Sequence, residues 1–224
     1  MTVKCKSVVE SGSPRPSFVN RIFLLSPAKA SGRRAQLLLR PQSNFELARR
    51  VQIRDATIGE VFAFCSGLYF RGKLAYANHF APTRPGRHRV YVITPTRGLI
   101  ATDTVIGTEE LNEFATVAVD AMERRFTEPL QATARAIAPT SKYEAVILGS
   151  IATGKYVEAL LPVFGDRLLF PTEFVGRGDM SRGALMLRCV AANTELDYTA
   201  VLGAVRKGPR AAKVSVMERA SPAR

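Results

Sequence analysis

The sequence predicts an α/β protein, a three-layer sandwich in which a mainly parallel sheet carries helices on both faces. Short apolar runs recur along the chain and each stops at serine, proline or glycine, while amphipathic stretches of helical spacing lie between them. No internal repeat interrupts that alternation. At 224 residues the chain is long enough for one well-packed domain with tails. We divide it into a flexible lead over 1–18, a single α/β domain over 19–203 and a basic, disordered tail over 204–224.

The lead is polar and carries Ser-Gly-Ser-Pro-Arg-Pro at 11–16, which is turn chemistry without a core face. Arg21 to Leu25 is an apolar run stopped by Ser26-Pro27, as for a strand buried on both faces. Ala35 to Arg40 and Phe45 to Val51 read as helices separated by Pro41; Ile58 to Phe80 reads as a longer helical stretch broken near Ser66-Gly67. Together they form the first crossover. Val90 to Thr94, β-branched and aromatic, is the second strand and ends at Pro95. Pro129 through Ala138 sets Leu130, Ala134 and Ile137 on one face, with Pro129 suited to a first helical turn. Ala145 to Leu148 is the third strand, ending at Gly149-Ser150. Tyr156 to Phe164 has the spacing of a helix packed on a sheet, with Gly165 as its stop. Leu168 to Phe170 is the fourth strand, Leu185 to Cys189 the last main helix and Tyr198 to Leu202 an edge strand.

A formal charge of +13 and a sequence pI near 10.2 point to a polyanionic partner, nucleic acid first, although solubility alone is an alternative reading of the same charge. Part of the excess lies in the tail, where Arg206, Lys207, Arg210, Lys213, Arg219 and Arg224 face only Glu218. No run approaches the roughly 18 apolar residues that cross a bilayer, so no membrane span is expected. The start of the chain lacks a signal-type apolar stretch, and Cys5, Cys65 and Cys189 are too few and too scattered for a disulfide framework. A reducing cytoplasm fits these features.

In open α/β sheets ligands bind beyond the carboxyl ends of the strands, and here those ends are polar. After the first strand, Ser26, Lys29, Ser31, Arg33 and Arg34 precede a helix and suit a phosphate, or equally a solvated basic turn. After the second, Thr94, Thr96 and Arg97 offer two hydroxyls and a guanidinium. After the third, Ser150, Thr153 and Lys155 open into a helix as an anion cradle, with Thr153 as a plain N-cap the alternative. After the fourth, PTEFVGRGDMSRG brings Glu173, Arg177, Asp179, Ser181 and Arg182 to the same edge, where ion pairs within the loop are the alternative to a ligand. Residues 67–80 interleave Tyr69, Phe70 and Tyr76 with Arg71 and Lys73; such a mixture stacks a base, or packs in the core with its cations reaching outward.

There is no Walker loop, zinc signature or nucleophile elbow, and no cofactor is expected. The remaining chemistry is metal-free: Glu173 or Asp179 in a basic pocket would activate water or stabilise positive charge on a sugar, as cleavage of an N-glycosidic bond requires.

The succession LYFRGKLAYANHFA, VYVITPTRGLI and AVILGSIATGKYVEALLPVFGDRLLFPTEFVGRGDMSRGALML resembles a family of uncharacterised bacterial α/β proteins. It is also similar to the uracil-DNA-glycosylase-like domain associated with archaeosine synthase and deazaguanine transglycosylases. The shared pattern spans roughly 67–190. The resemblance implies an α/β fold that handles a nucleobase or nucleic acid. It carries no catalytic position over, because the water-activating Gly-Gln-Asp-Pro-Tyr-His and His-Pro-Ser loops of uracil glycosylases are missing here.

The function expected is therefore binding of nucleic acid or a nucleotide-like ligand over the strand ends, with action on an N-glycosidic bond. Arg33, Arg34, Arg97 and Lys155 would hold phosphates and Tyr69 or Phe70 would stack a base. A noncatalytic nucleic-acid-binding accessory module and a small-molecule nucleotide-metabolism enzyme are the alternatives.

Overall fold

The computed structural model describes residues 20–81, 88–137, 143–205 and 208, so the N-terminal lead, Ala138 and most of the basic tail lie outside the described residues. Strand β1 (Asn20–Leu25) is followed by α1 (Arg33–Leu39), α2 (Glu46–Gln52), the two-residue β2 (Ala56–Thr57), α3 (Ile58–Ser66) and α4 (Leu68–Phe80). Then come β3 (Val90–Thr94), β4 (Gly98–Ala101), β5 (Val105–Ile106), α5 (Thr108–Ala115) and α6 (Arg124–Ile137). The last part holds β6 (Tyr143–Leu148), α7 (Val157–Phe164), β7 (Leu168–Pro171), α8 (Asp179–Ala192) and β8 (Tyr198–Ala200).

The main sheet runs β4-β3-β1-β6-β7-β8. Its four inner strands are parallel, and antiparallel β4 and β8 close the two edges. Alternation along β1 explains the layering. Phe23 and Leu25 join the core beneath α1 to α5 and α8, whereas Ile22 and Leu24 join the core beneath α6 and α7. Helices thus cover both faces, as the apolar runs anticipated.

Local chemistry sets the boundaries of several elements. Thr57 and Glu60 form a reciprocal capping box at the start of α3, which therefore begins where the short β2 ends. Gly67, at φ 65°, separates α3 from α4 at the anticipated break. Pro129 is not in a first helical turn: α6 starts five residues earlier, at Arg124, where the Glu123 carbonyl accepts from Phe126 and Thr127. Pro129 therefore lies inside the helix, where it cannot donate to the Arg125 carbonyl; Thr133 Oγ1 donates to the Pro129 carbonyl and accepts the Leu99 amide, which fastens α6 to the β3–β4 hairpin. The last helix likewise begins at Asp179 rather than near Leu185, since Gly178 opens it in extended conformation.

Helices α4 and α8 cross backbone to backbone. A Cβ built on Gly72 would lie 2.7 Å from the Gly183 carbonyl oxygen, and one built on Gly183 would lie 2.9 Å from that of Leu68. Tyr76 ties the pair to the sheet edge: its hydroxyl accepts the Leu196 amide at 2.8 Å and meets the Tyr198 hydroxyl at 2.6 Å. Overpacking at such a contact costs about 1–3 kcal/mol. Gly72→Ala and Gly183→Ala should each lower unfolding free energy by about that amount in urea titrations, whereas Gly178→Ser, with open space around its Cβ, should be neutral or slightly stabilising.

Candidate functional site

From β1 the chain passes to β3 on one side, and from β3 to β6 on the other, so the crossovers diverge between β1 and β6. Such a switch point opens a crevice beyond the strand ends. Ser26 and Gly149 are the residues that follow the two strands. The Ser26 amide still donates to the Leu148 carbonyl at 3.2 Å, and a Cβ on Gly149 would lie 2.9 Å from Ser26 Cβ. The crevice floor is therefore packed tightly.

A cavity of about 360 Å³ lies over this floor. Pro27 to Ser31 form one wall; Pro95, Phe114 and Val117 to Val119 another; Lys155 and Tyr156 close the third. The volume lies within the range of small-molecule sites, and the lining is nearly as polar as apolar, with two lysines, Lys29 and Lys155. Among the described residues neither lysine has a carboxylate partner; Lys155 lies over the Tyr156 ring at 5.4 Å.

Behind Ser26 sits a buried polar cluster that α4 and α8 assemble. Lys73 Nζ donates to the Ser26 carbonyl at 2.5 Å and to Ser26 Oγ at 2.9 Å, and it lies over the rings of Tyr69 and Phe70 at 4.4 and 4.8 Å. Only 1% of Lys73 is exposed, and burial pushes its ammonium down to about 7. Asp179 opposes that shift and Arg182 adds to it. Tyr69 is buried, and among the described residues its hydroxyl has no hydrogen-bond partner. Burial raises that phenol to about 12, partly offset by nearby Arg182 and Ser26, neither of which completes a bond of proper geometry. Tyr156 is also raised by burial, and Tyr69, Asp179 and Ser26 all bear on it. The cluster thus backs onto the cavity wall.

The anticipated residues divide by environment. Ser26 and Tyr69 belong to the cluster, and Lys155 lines the cavity. Phe70 offers no face for a base: it is fully buried edge-on to Phe62. Arg71 points outward from α4 and is exposed. Arg33 and Arg34 form the first turn of α1 rather than preceding it, and Arg34 donates to the Phe64 carbonyl at 3.2 Å. Thr94 is a turn residue whose hydroxyl donates to the Gly98 carbonyl and accepts the Arg97 amide. Thr96 and Arg97 both bind Glu113, and Arg97 also reaches Glu110 at 3.3 Å. That guanidinium is neutralised by α5.

Ser150 Oγ accepts the Ala152 amide at 3.4 Å, and Thr153 is exposed. Thr153 does not cap α7, because an intervening turn delays the helix to Val157 and leaves Tyr156 at the capping position. In the loop after β7, Arg177 folds back to the Glu173 carbonyl at 2.8 Å and to Ser181 Oγ at 3.4 Å. Arg182 is buried and donates twice to the Phe174 carbonyl, with Asp179 at 3.5 Å. The loop ion pair is thus Arg182–Asp179. Neither Glu173 nor Asp179 lines the cavity, but Asp179 bears on Lys73, Tyr69 and Tyr156 whereas Glu173 bears on Cys189. Burial raises the Cys65 and Cys189 thiols, which argues against thiolate chemistry. Among the described residues no three His, Cys, Asp or Glu side chains group to hold a metal ion, and no helix is long and apolar enough to cross a membrane.

Sequence reasoning named Lys73 among the cations interleaved with aromatics and Tyr156 as a helix-face residue, but made neither a candidate site residue. The signal for Lys73 was its register, four residues after Tyr69 and three before Tyr76, on the buried stripe of α4.

The burial of Lys73 has a measurable consequence. The unfolded chain keeps its lysine proton up to about 10.5, whereas the folded chain releases it above about 7. Between those values the unfolded state binds more protons, so stability rises with pH, by at most about 1.4 kcal/mol per unit. Cys65 and the buried tyrosines act with opposite sign only above their ordinary values of 9.0 and 10.0. Denaturation between about pH 7 and 8.5 should therefore show stability increasing with pH, and Lys73→Met should flatten that slope.

Compared with known proteins, the chain matches no family model, no curated protein and no solved structure.

Proposed function

We propose that the chain binds a nucleotide-like ligand, free or as a unit of nucleic acid, in the cavity over β1, β3 and β6, and acts there on its N-glycosidic bond. The observation that carries this reading is the cavity at the sheet's switch point, about 360 Å³, with Lys29 and Lys155 in its lining, neither of which has a carboxylate partner among the described residues. The volume suits a small ligand of nucleotide type, and such cations suit a phosphate. The formal charge of +13 adds attraction at a distance, and the resemblance of 67–190 to the uracil-DNA-glycosylase-like domain agrees with the ligand class.

For the bond-breaking step neither carboxylate lines the cavity, and Asp179 is the better placed because it starts α8 beside the buried cluster behind the cavity wall, 3.5 Å from Arg182. In this role it would stabilise positive charge developing on the sugar. Glu173 would be a surface residue of the loop.

Titrating the chain against nucleoside monophosphates, single-stranded DNA, duplex DNA and transfer RNA across a salt series tests the reading. Binding of at least one class is expected, and Lys29→Ala combined with Lys155→Ala should weaken it about tenfold or more and reduce the salt slope. Base release by a bound substrate should fall in Asp179→Asn and persist in Glu173→Gln. Affinity unchanged in the double lysine variant would remove the cavity from consideration.

A further inference from the structure

Two buried cations meet at the head of β1 with too little negative charge to balance them. Lys73 contacts only neutral groups, the carbonyl and hydroxyl of Ser26 and the rings of Tyr69 and Phe70. Arg182, nine-tenths buried, is bound to the Phe174 carbonyl and reaches one carboxylate, Asp179, whose side chain is 67% exposed. Burying charge without a partner is costly, and a fold that keeps both cations has a reason to do so. A purely structural lysine would explain the bonds to Ser26. It would not explain Tyr69, whose buried hydroxyl beside Arg182 and Ser26 has no partner among the described residues.

An ammonium, a guanidinium and a phenol are all donors, and among the described residues the acceptors that Lys73 and Arg182 reach are Ser26, the Phe174 carbonyl and Asp179, with none for the Tyr69 hydroxyl. We propose that Lys73, Arg182 and Tyr69 form a buried seat for one oxyanion of the phosphate type, set behind the cavity wall at Tyr156. The proposal rests on the nucleotide reading and sharpens it: Lys29 and Lys155 draw the phosphate into the cavity and this seat holds it, whereas Arg34 and Arg97 are already employed by the fold. Bound oxyanion supplies the missing charge and accepts from the Tyr69 hydroxyl.

Proton linkage follows from the surroundings of Lys73, where Ser26 of β1, Tyr69 and Phe70 of α4, Asp179 and Arg182 of α8, and Tyr156 before α7 are the groups that face it or bear on it. Among these Lys73 is the group that changes charge near neutrality, its ammonium being held down to about 7. An oxyanion beside it restores the charged form, so binding at pH 8 takes up a proton and binding at pH 6 does not.

The test is calorimetry on the full chain with inorganic phosphate, sulfate and a nucleoside monophosphate. Sulfate does not titrate in this range, so heats measured in two buffers report protein protons alone. The expected result is oxyanion binding with proton uptake at pH 8, weakened roughly tenfold in Tyr69→Phe, as for loss of one charge-assisted bond. Tyr69→Phe should also melt no lower than wild type without ligand, because it removes an unpaired buried hydroxyl. Lys73→Met should abolish proton uptake; if it does not fold, Tyr69→Phe decides. Oxyanion affinity unchanged in Tyr69→Phe, or no oxyanion binding at all, overturns the seat. Should the monophosphate bind no tighter than inorganic phosphate while the variants behave as expected, the seat stands and the nucleotide reading falls. Should the monophosphate bind Tyr69→Phe as it binds wild type, the reverse holds.

Discussion

The backbone contact between α4 and α8 at Gly72 and Gly183 is the constraint on which the upper half of the molecule depends. Without side chains at either position the two helices approach closely enough to exclude water from the turn of α4 between Tyr69 and Lys73. With a methyl group there, helix axes would separate by a fraction of an ångström, and close-packed interiors do not absorb such a shift without repacking. The shifted acidity of Lys73, the unpaired Tyr69 hydroxyl and the inward turn of Arg182 are consequences of one helix spacing rather than three separate features.

The glycine-rich, charge-rich loop before α8 follows from the same spacing. Bringing α8 so close forces the chain from β7 to turn sharply, and Phe174 is buried against α8 with its carbonyl facing inward. Arg182 satisfies that carbonyl with two N–H groups, and Arg177 does the same for Glu173 with one. Much of the loop's polarity is therefore spent on its own backbone. Asp179 is the exception: it stands exposed at the start of α8 while its charge is felt by the buried cluster.

The inner strands were readable because each is apolar on both faces, which only a sheet covered by helices on both sides requires. The edge strand β4 and helix α5 were not. Gly98 to Ala101 is too short and too small in side chains to stand out, and α5 buries Leu111 and Phe114 as its only large apolar groups. That omission misled the reading of Arg97, since its partners Glu110 and Glu113 arrive on α5. Ser26 and Lys155 were found by the rule that ligands gather at strand ends. Lys73 was not, because a lysine on an amphipathic helix is expected to reach outward, even though its register with Tyr69 and Tyr76 puts it on the buried stripe of α4.

The charge excess of the chain has a specific arrangement. Many carboxylates of the described residues pair with arginines: Glu60 with Arg50, Glu110 with Arg54 and Arg97, Glu113 with Arg97, and Glu144 and Glu195 with Arg21, the Arg97 pairs lying on α5 next to the cavity's Phe114 wall. The shifts agree with this, for Arg50 above all holds the Glu60 carboxyl down to about 2. Lys29 and Lys155 receive no such compensation. A cation on a convex, solvated surface is screened within about 8–10 Å, but one on an apolar concave wall is screened less and its field is focused into the cavity. The same net charge spread evenly would attract polyanions without directing them. Here the pairing of many carboxylates with arginines leaves Lys29 and Lys155 facing a cavity at the strand ends, with the buried donors Lys73 and Arg182 behind its wall.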